Sequence, residues 1–180
     1  MDYLLTPRVR LRQYEPEDFE RLVDLNSDPE VVRYVGGKPL SRDEVRYGVE
    51  RTLMYRERFG GRLGVFTAER REDGAFMGWF LLRPDRDRLD DVAHLEFGYR
   101  LKKAFWGQGY ATEVSRALVA KAFDELGAES VWAQALEANA ASVRVMVKCG
   151  LTFEKEFTDP HFLGEGKAVL YRLRRADRVR

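Results

Sequence analysis

The stretch AFWGQGYATE, residues 104–113, sets Gly107 and Gly109 one residue apart, just past a strand-like run and just ahead of a helix-like one. The start of a helix leaves several backbone amides without partners and carries a partial positive charge. Glycines placed there let bare backbone approach an anion closely, and a phosphate or pyrophosphate is the natural occupant. The same two glycines also suit a chain that simply has to turn, and the spacing alone leaves both readings open. Two better-known phosphate loops are set aside. GQGYAT lacks the last glycine of G-x-G-x-x-G, and no G-x-x-x-x-G-K-[ST] occurs. Upstream, His94 and Glu96 supply titratable groups on one face of an alternating run. Cys149 is a single cysteine near a helix end and reads as a small buried apolar residue, not as a nucleophile.

Composition narrows the partners. With 31 basic and 30 acidic residues among 180, the net charge is +1, which argues against a chain built to hold a nucleic-acid backbone. Hydrophobic residues make up 44% and charged residues 34%, as expected of a globular domain that buries its own core. A lone cysteine cannot staple the fold, and no apolar stretch is long enough to span a bilayer. MDYLLTPRVRLR lacks the charged-then-apolar pattern of a signal peptide. The expectation is a cytoplasmic protein with no membrane partner and no metal.

The elements that must position these residues follow from periodicity. RVRLRQY (8–14) alternates like a half-buried strand. EPEDFERLVDLN (15–26) carries Phe19, Leu22, Val23 and Leu25 at helical spacing, and a short helix around PEVVRYV is expected to follow. SRDEVRYGVERTLMYRERFG (41–60) opens on a Ser41/Glu44 capping box and carries a Val45, Val49, Leu53 stripe. RLGVFTAER (62–70) and AFMGWFLLRP (75–84) flank Asp73-Gly74, a hairpin signal. In VAHLEFGYRL (92–101), Ala93, Leu95, Phe97, Tyr99 and Leu101 share one face, and His94, Glu96, Gly98 and Arg100 the other. A helix over 109–126 buries Ala111, Val114, Leu118, Ala122 and Leu126. A strand at 130–136, a helix at 139–150 closed by Gly150, and a pair of strands at 151–158 and 168–175 complete the order. Hairpins alternate with helical crossovers, so the class is α+β with a mixed sheet; RPDRDRLDD (83–91) is a surface loop.

Strand HLEFGYRL, loop AFWGQGYATE, a long helix, a strand, then NAASVRVMVKCGLTF together resemble the core of the GNAT superfamily of acyl-CoA-dependent N-acetyltransferases. The opening TPRVRLRQYEPEDFE and the ending AVLYRLRR are similar to one branch of it, the branch of ribosomal-protein N-terminal and spermidine acetyltransferases. The resemblance covers nearly the whole chain as a single domain, 1–180. It implies a central, splayed, mostly antiparallel mixed sheet of about seven strands flanked by helices. Three positions depart from the pattern. Trp106 stands where the phosphate loop has Arg or Gln, Met146 where a helix tyrosine is frequent, and Lys167 where an acid often opens the last strand.

The resemblance implies transfer of an acetyl group from acetyl-CoA to a primary amine. The pyrophosphate would lie on the loop of Trp106, Gly107, Gln108, Gly109, Tyr110, Ala111 and Thr112. The pantetheine arm would enter between two parting strands, held by backbone near Tyr99 and Leu101, with Asn139 and Ser142 at the thiol end. Such chemistry needs a base for the amine, donors for the developing oxyanion, and an acid for the leaving thiolate. Glu96 is the expected base, because a carboxylate on a strand's polar face is partly desolvated and its pKa rises; pairing with an arginine such as Arg100 is the structural alternative. His94 on the same face is the other candidate base. Ser142, three residues after Asn139, is the local hydroxyl for the acid role, or else bonds within its helix. Glu113 in the first helical turn suits the dipole without further purpose.

The expected acceptor is a protein or peptide N-terminal amine, with a small amine (polyamine, amino acid or aminoglycoside) or a non-catalytic acyl-CoA sensor as the other readings. Tyr34, Trp79, Phe80, His161 and Phe162 are the residues expected to line its site, or to pack in the core. The tail YRLRRADRVR, with five arginines, reads as a solvated terminus in preference to an RNA contact. Relatives in the branch are commonly homodimers, which extends to this chain as an expectation.

Overall fold

Asp73-Gly74 makes the turn that its sequence predicts. Gly74 adopts φ 71°, its amide returns to the Arg70 carbonyl at 2.8 Å, and the strands on either side pair antiparallel. In the computed structural model, which describes residues 2–158 and 166–178, these are β3 (Gly64–Arg70) and β4 (Phe76–Pro84). Before them come β1 (Asp2–Leu5), β2 (Val9–Arg12), α1 (Asp18–Ser27), the short α2 (Pro29–Val32) and α3 (Arg42–Arg58). After them come β5 (His94–Leu101), α4 (Tyr110–Asp124), β6 (Ser130–Leu136), α5 (Ala140–Lys148), β7 (Thr152–Phe157) and β8 (Ala168–Arg174).

The described strands form one 8-stranded sheet in the order β1-β2-β3-β4-β5-β6-β8-β7, antiparallel throughout except where β5 meets β6. Sequence periodicity gave about seven strands; the eighth is β1, a half-exposed edge strand of DYLL that pairs with β2 and shows no alternation. The Ser41/Glu44 box caps α3 as expected, with Ser41 N–H donating to Glu44 at 2.7 Å and Glu44 N–H to Ser41 Oγ at 3.2 Å. Its apolar stripe differs: Val45, Val49 and Tyr55 are buried, and Leu53 is exposed.

The main core lies between the sheet and the pair α4 and α5. Leu95 and Phe97 of β5, Val131 and Ala133 of β6, Val114 and Leu118 of α4 and Met146 of α5 belong to it. Burying each leucine fully contributes about 1.5–3 kcal/mol. Beside β2 sits a buried ionic knot that periodicity could not reveal. Arg12 reaches Asp18 with two bonds of 2.6 and 2.8 Å and Glu69 at 2.6 Å, and Thr67 Oγ1 donates to Asp18 at 2.9 Å. Burial would push the Asp18 carboxyl up, but the hydrogen bonds from Arg12, the Glu15 amide and Thr67 together hold it below the usual range.

The described arginines of the tail are tied to the rest of the molecule. Arg172 and Arg174 pair with Glu154 at 2.7 and 3.1 Å, Arg175 donates to the Ala128 and Phe123 carbonyls, and Arg178 pairs with Asp124. Arg174 and Arg175 remain exposed, as a solvated terminus requires, while making these contacts. No described helix is long and apolar enough to cross a membrane.

Candidate active site

A wedge opens between β5 and β6. Their parallel pairing covers only His94↔Ser130, Leu95↔Val131 and Glu96↔Trp132, although β5 continues to Leu101 and β6 to Leu136. Past that point β5 stays with β4 and β6 with β8. In an antiparallel ladder hydrogen-bonded and open pairs alternate. The Lys102 amide donates to the Met77 carbonyl at 2.8 Å, which sets the phase. Glu96, Gly98 and Arg100 therefore turn their backbone groups to β4, and Phe97, Tyr99 and Leu101 turn theirs into the wedge. Trp106 Nε1 donates to the Leu101 carbonyl at 2.8 Å, so the indole closes one end of that row.

The phosphate-loop candidates sit at the head of α4. Gly107 and Gly109 take φ 74° and 83°, conformations that side chains rarely adopt, and Gly109 is the N-cap with no side-chain cap bond. The first α4-type bond runs from the Glu113 amide to the Gly109 carbonyl at 3.0 Å. The amides from Gly107 to Thr112 have no partner among the described residues. The loop is braced from behind. Glu113 accepts from Thr6 Oγ1 at 2.7 Å, from the Arg8 amide at 3.0 Å and from Arg8 Nε at 2.7 Å. Arg8 Nη1 donates to the Gln108 carbonyl at 3.0 Å, and its guanidinium lies 4.3 Å from the Tyr110 ring centre. Glu113 is thus a clamp joining the β1–β2 turn to the helix start, more than the dipole partner expected of it. Burial would raise its pKa, and the bonds from Thr6 and Arg8 outweigh that and lower it. Tyr110 is buried and packs edge-on to Phe105, whereas Trp106 and Gln108 are exposed, Gln108 folding back to donate to the Ala104 carbonyl at 2.7 Å. The loop presents backbone outward.

On the α5 face of the wedge, Tyr99 Oη and Ser142 Oγ lie 3.3 Å apart. Burial raises the Tyr99 pKa, with the Ser142 bond opposing. Asn139 caps α5, its Oδ1 accepting the Ser142 amide at 3.2 Å. Met146, at the position of the missing tyrosine, is buried in the core. Cys149 is buried too, and its thiol is pushed up to about 11, so the structure keeps it inert.

On the opposite face, Glu96 stands at the fork where the strands part. It is 7% exposed and pairs with Arg83 at 2.5 Å, not with Arg100. The cross-strand register places Arg83 directly opposite Glu96, whereas Arg100 turns to Asn26 and the face of Trp79. Burial pushes the Glu96 carboxyl up, and Arg83 pulls back against it. Arg83 is steadied by Tyr55 Oη and the Pro84 carbonyl, each at 3.2 Å. His94 Nδ1 lies 2.9 Å from Ser130 Oγ, which also accepts from Arg172 at 3.0 Å.

Glu96 and His94 open onto a cleft of about 1380 Å³ between α3, the β4–β5 loop and the sheet. Its aromatic lining is Tyr47, Tyr55, Trp132 and Phe157. Of the aromatic residues expected to line the acceptor's site or to pack in the core, Phe80 is fully buried in the core and Trp79 lines a separate cavity of about 160 Å³ with Arg100; Tyr34 lines neither cavity. His161 and Phe162 lie outside the described residues. Arg83, Tyr55 and the Thr6–Arg8–Glu113 clamp were missed from sequence because each depends on a partner far along the chain. Only the register of two strands could have signalled Arg83.

Comparison with known proteins agrees with this geometry. Residues 8–152 match a family model described as acetyltransferase (GNAT) domain. The FsC-acetyl coenzyme A-N(2)-transacetylase of Aspergillus fumigatus is 34% identical over 98% of this chain and 78% of its own length. Among solved structures, a GNAT-family acetyltransferase from Bacillus anthracis superposes with a TM-score of 0.81 at 20% identity, covering 97% of this chain and 98% of that one. RimL, a ribosomal L7/L12 alpha-N-protein acetyltransferase in complex with coenzyme A, gives 0.79 at 15% identity over 99% and 100%. At these identities the two structures speak to the fold.

Proposed function

The chain belongs to the GNAT acetyltransferase family, an acetyl-CoA-dependent N-acetyltransferase by that membership, and we propose that its acceptor is a protein or peptide N-terminal amine. The observation that supports the cofactor's place is the run of amides from Gly107 to Thr112, with no protein partner among the described residues, ahead of α4. Those amides, with the helix dipole behind them, suit a diphosphate. The wedge-facing backbone of Tyr99 and Leu101 would hold the pantetheine arm, with Asn139 and Ser142 at its thiol end. When bound, acetyl-CoA supplies an acetyl thioester as acyl donor.

The chain's own groups do the rest. Glu96 takes a proton from the acceptor's ammonium, directly or through one water, from a desolvated position that makes it a better base. Arg83 fixes its orientation. Donors along β5 near Tyr99 stabilise negative charge as it develops. Ser142 Oγ, tied to Tyr99 Oη, holds a proton at the mouth of the wedge.

The size of the cleft supports a peptide-sized acceptor, since its volume exceeds the ~300–1,000 Å³ usual for small-molecule sites. RimL, which shares the fold, is itself an alpha-N-protein acetyltransferase. A small-amine acceptor is the second reading, favoured by the Aspergillus fumigatus N(2)-transacetylase at 34% identity. A cytoplasmic setting and a homodimer complete the proposal on family grounds. Thiol release from acetyl-CoA, followed across peptide N-termini and small amines, tests it. Turnover with peptides is expected; turnover with small amines alone would overturn the acceptor assignment.

A further inference from the structure

Arg51, Arg83 and Arg86 line the cleft onto which Glu96 opens, as do the carboxylates of Asp85 and Asp87. Arg83 is neutralised by Glu96 itself. Asp85 is engaged by the Asp87 amide at 2.9 Å. Arg51 donates to the Tyr55 hydroxyl at 3.4 Å, and neither Arg51 nor Arg86 has an ion pair among the described residues. On the far side of the cleft Arg172 and Arg174 share the one carboxylate of Glu154, and Arg88 faces Asp91. At the Glu96 end, Arg51 and Arg86 are thus two guanidinium groups that no carboxylate among the described residues pairs with directly, with Asp85 and Asp87 nearby.

Resting on the N-acetyltransferase reading, we propose that the acceptor is an amine with a carboxylate close beside it, which Arg51 and Arg86 receive while the amine faces Glu96. A guanidinium fork matches a carboxylate bidentately, so the pair selects by geometry as well as by charge. Tyr47, Tyr55 and Trp132 give the rest of the acceptor an apolar wall. The same cations repel a polyamine. They also favour the uncharged form of a nearby amine, which lightens the work of a base already engaged by Arg83. The carboxylate can belong to the amine's own carbon, as in a free amino acid, or to the next residue of an acidic peptide N-terminus.

The test compares kcat/KM, by thiol release, for matched acceptors. One arm pairs methionine with methioninamide. The other uses C-terminally amidated short peptides that begin Ser-Asp, Ser-Asn or Ser-Lys. In one arm or both, the acidic member should be preferred by about tenfold, as one charge-assisted hydrogen bond allows, and raised salt should erode the preference. The arm with the larger preference identifies the source of the carboxylate. Arg86→Glu, at an exposed position, should leave the melting curve in place and abolish or reverse the preference. Equal kcat/KM within both sets of matched acceptors, or a preference for the lysine peptide, overturns the inference and leaves acetyl transfer standing. Acetyl-CoA binding with no turnover of any amine overturns both.

Discussion

Substituting Arg83 by Met separates the two forces that set the Glu96 carboxyl. Arg83 and Glu96 are almost fully buried and 2.5 Å apart, and Arg83 also binds Tyr55 Oη and the Pro84 carbonyl. Removing it leaves a buried carboxylate without a counter-charge, a change that costs about 3–5 kcal/mol. In a domain of 180 residues each kcal/mol moves the melting point by roughly 2–4 °C, so the drop is about 6–20 °C. Burial raises the Glu96 pKa and Arg83 opposes it, so Arg83→Met raises the pKa further. The base is the ionised form, gained as pH rises through that value. In the wild type, kcat/KM should therefore fall toward acid along a limb above the ordinary carboxylate value of about 4.3. The limb moves to higher pH in Arg83→Met. Glu96→Gln, which keeps the shape and an oxygen to accept from Arg83, should lower kcat/KM by about 10²–10⁴-fold and remove the limb. Its melting point should fall as well, because Arg83 is left buried without a counter-charge, so the limb and not the melt distinguishes the two variants. A Glu96→Gln enzyme with wild-type kcat/KM, or an Arg83→Met limb that stays put, refutes the assignment.

Two further changes test what positions the site. A Cβ on Gly78, which has φ 136°, would lie 2.0 Å from the Arg100 carbonyl oxygen. Gly78→Ala should then destabilise by about 3 kcal/mol or more and weaken acetyl-CoA binding by displacing β5; thermal melts and a titration read both, and an unchanged melt would mean that β4 and β5 do not approach so closely. Asp18→Asn should cost about 3–5 kcal/mol at neutral pH by leaving Arg12 half-answered. Because the Asp18 pKa is lowered in the fold, its contribution is present above the unfolded value of about 3.9 and fades as pH falls through the folded one. The gap between variant and wild-type melts should narrow with acid; a gap independent of pH would assign the cost to packing.

Local signals carried much of this fold into the sequence. The Ser41/Glu44 box, the Asp73-Gly74 turn and the alternation of residues 94–101 are short-range patterns, and each appears in the structure where its spacing put it. β1 escaped because an edge strand half open to water needs no alternation. The loop of Gly107 and Gly109 was legible because its requirement is local, namely positive φ ahead of a helix. The partner of Glu96 was not, because Arg100 is near in sequence while Arg83 is near only through strand register. The same holds for the Glu113 clamp, whose partners Thr6 and Arg8 arrive from the other end of the domain. Trp79 and Phe80, large and adjacent in mid-strand, divide as strand alternation requires, Phe80 into the core and Trp79 to the smaller cavity.

The central claim, that free amides at the head of α4 grip the diphosphate of acetyl-CoA, is open to one direct measurement. In an amide ¹H–¹⁵N titration, coenzyme A should shift the signals of Gly107 to Thr112 strongly, and pantetheine, which lacks the diphosphate, should leave them in place while moving those of Phe97, Tyr99 and Leu101. Coenzyme A that binds without disturbing the Gly107–Thr112 amides would contradict the account.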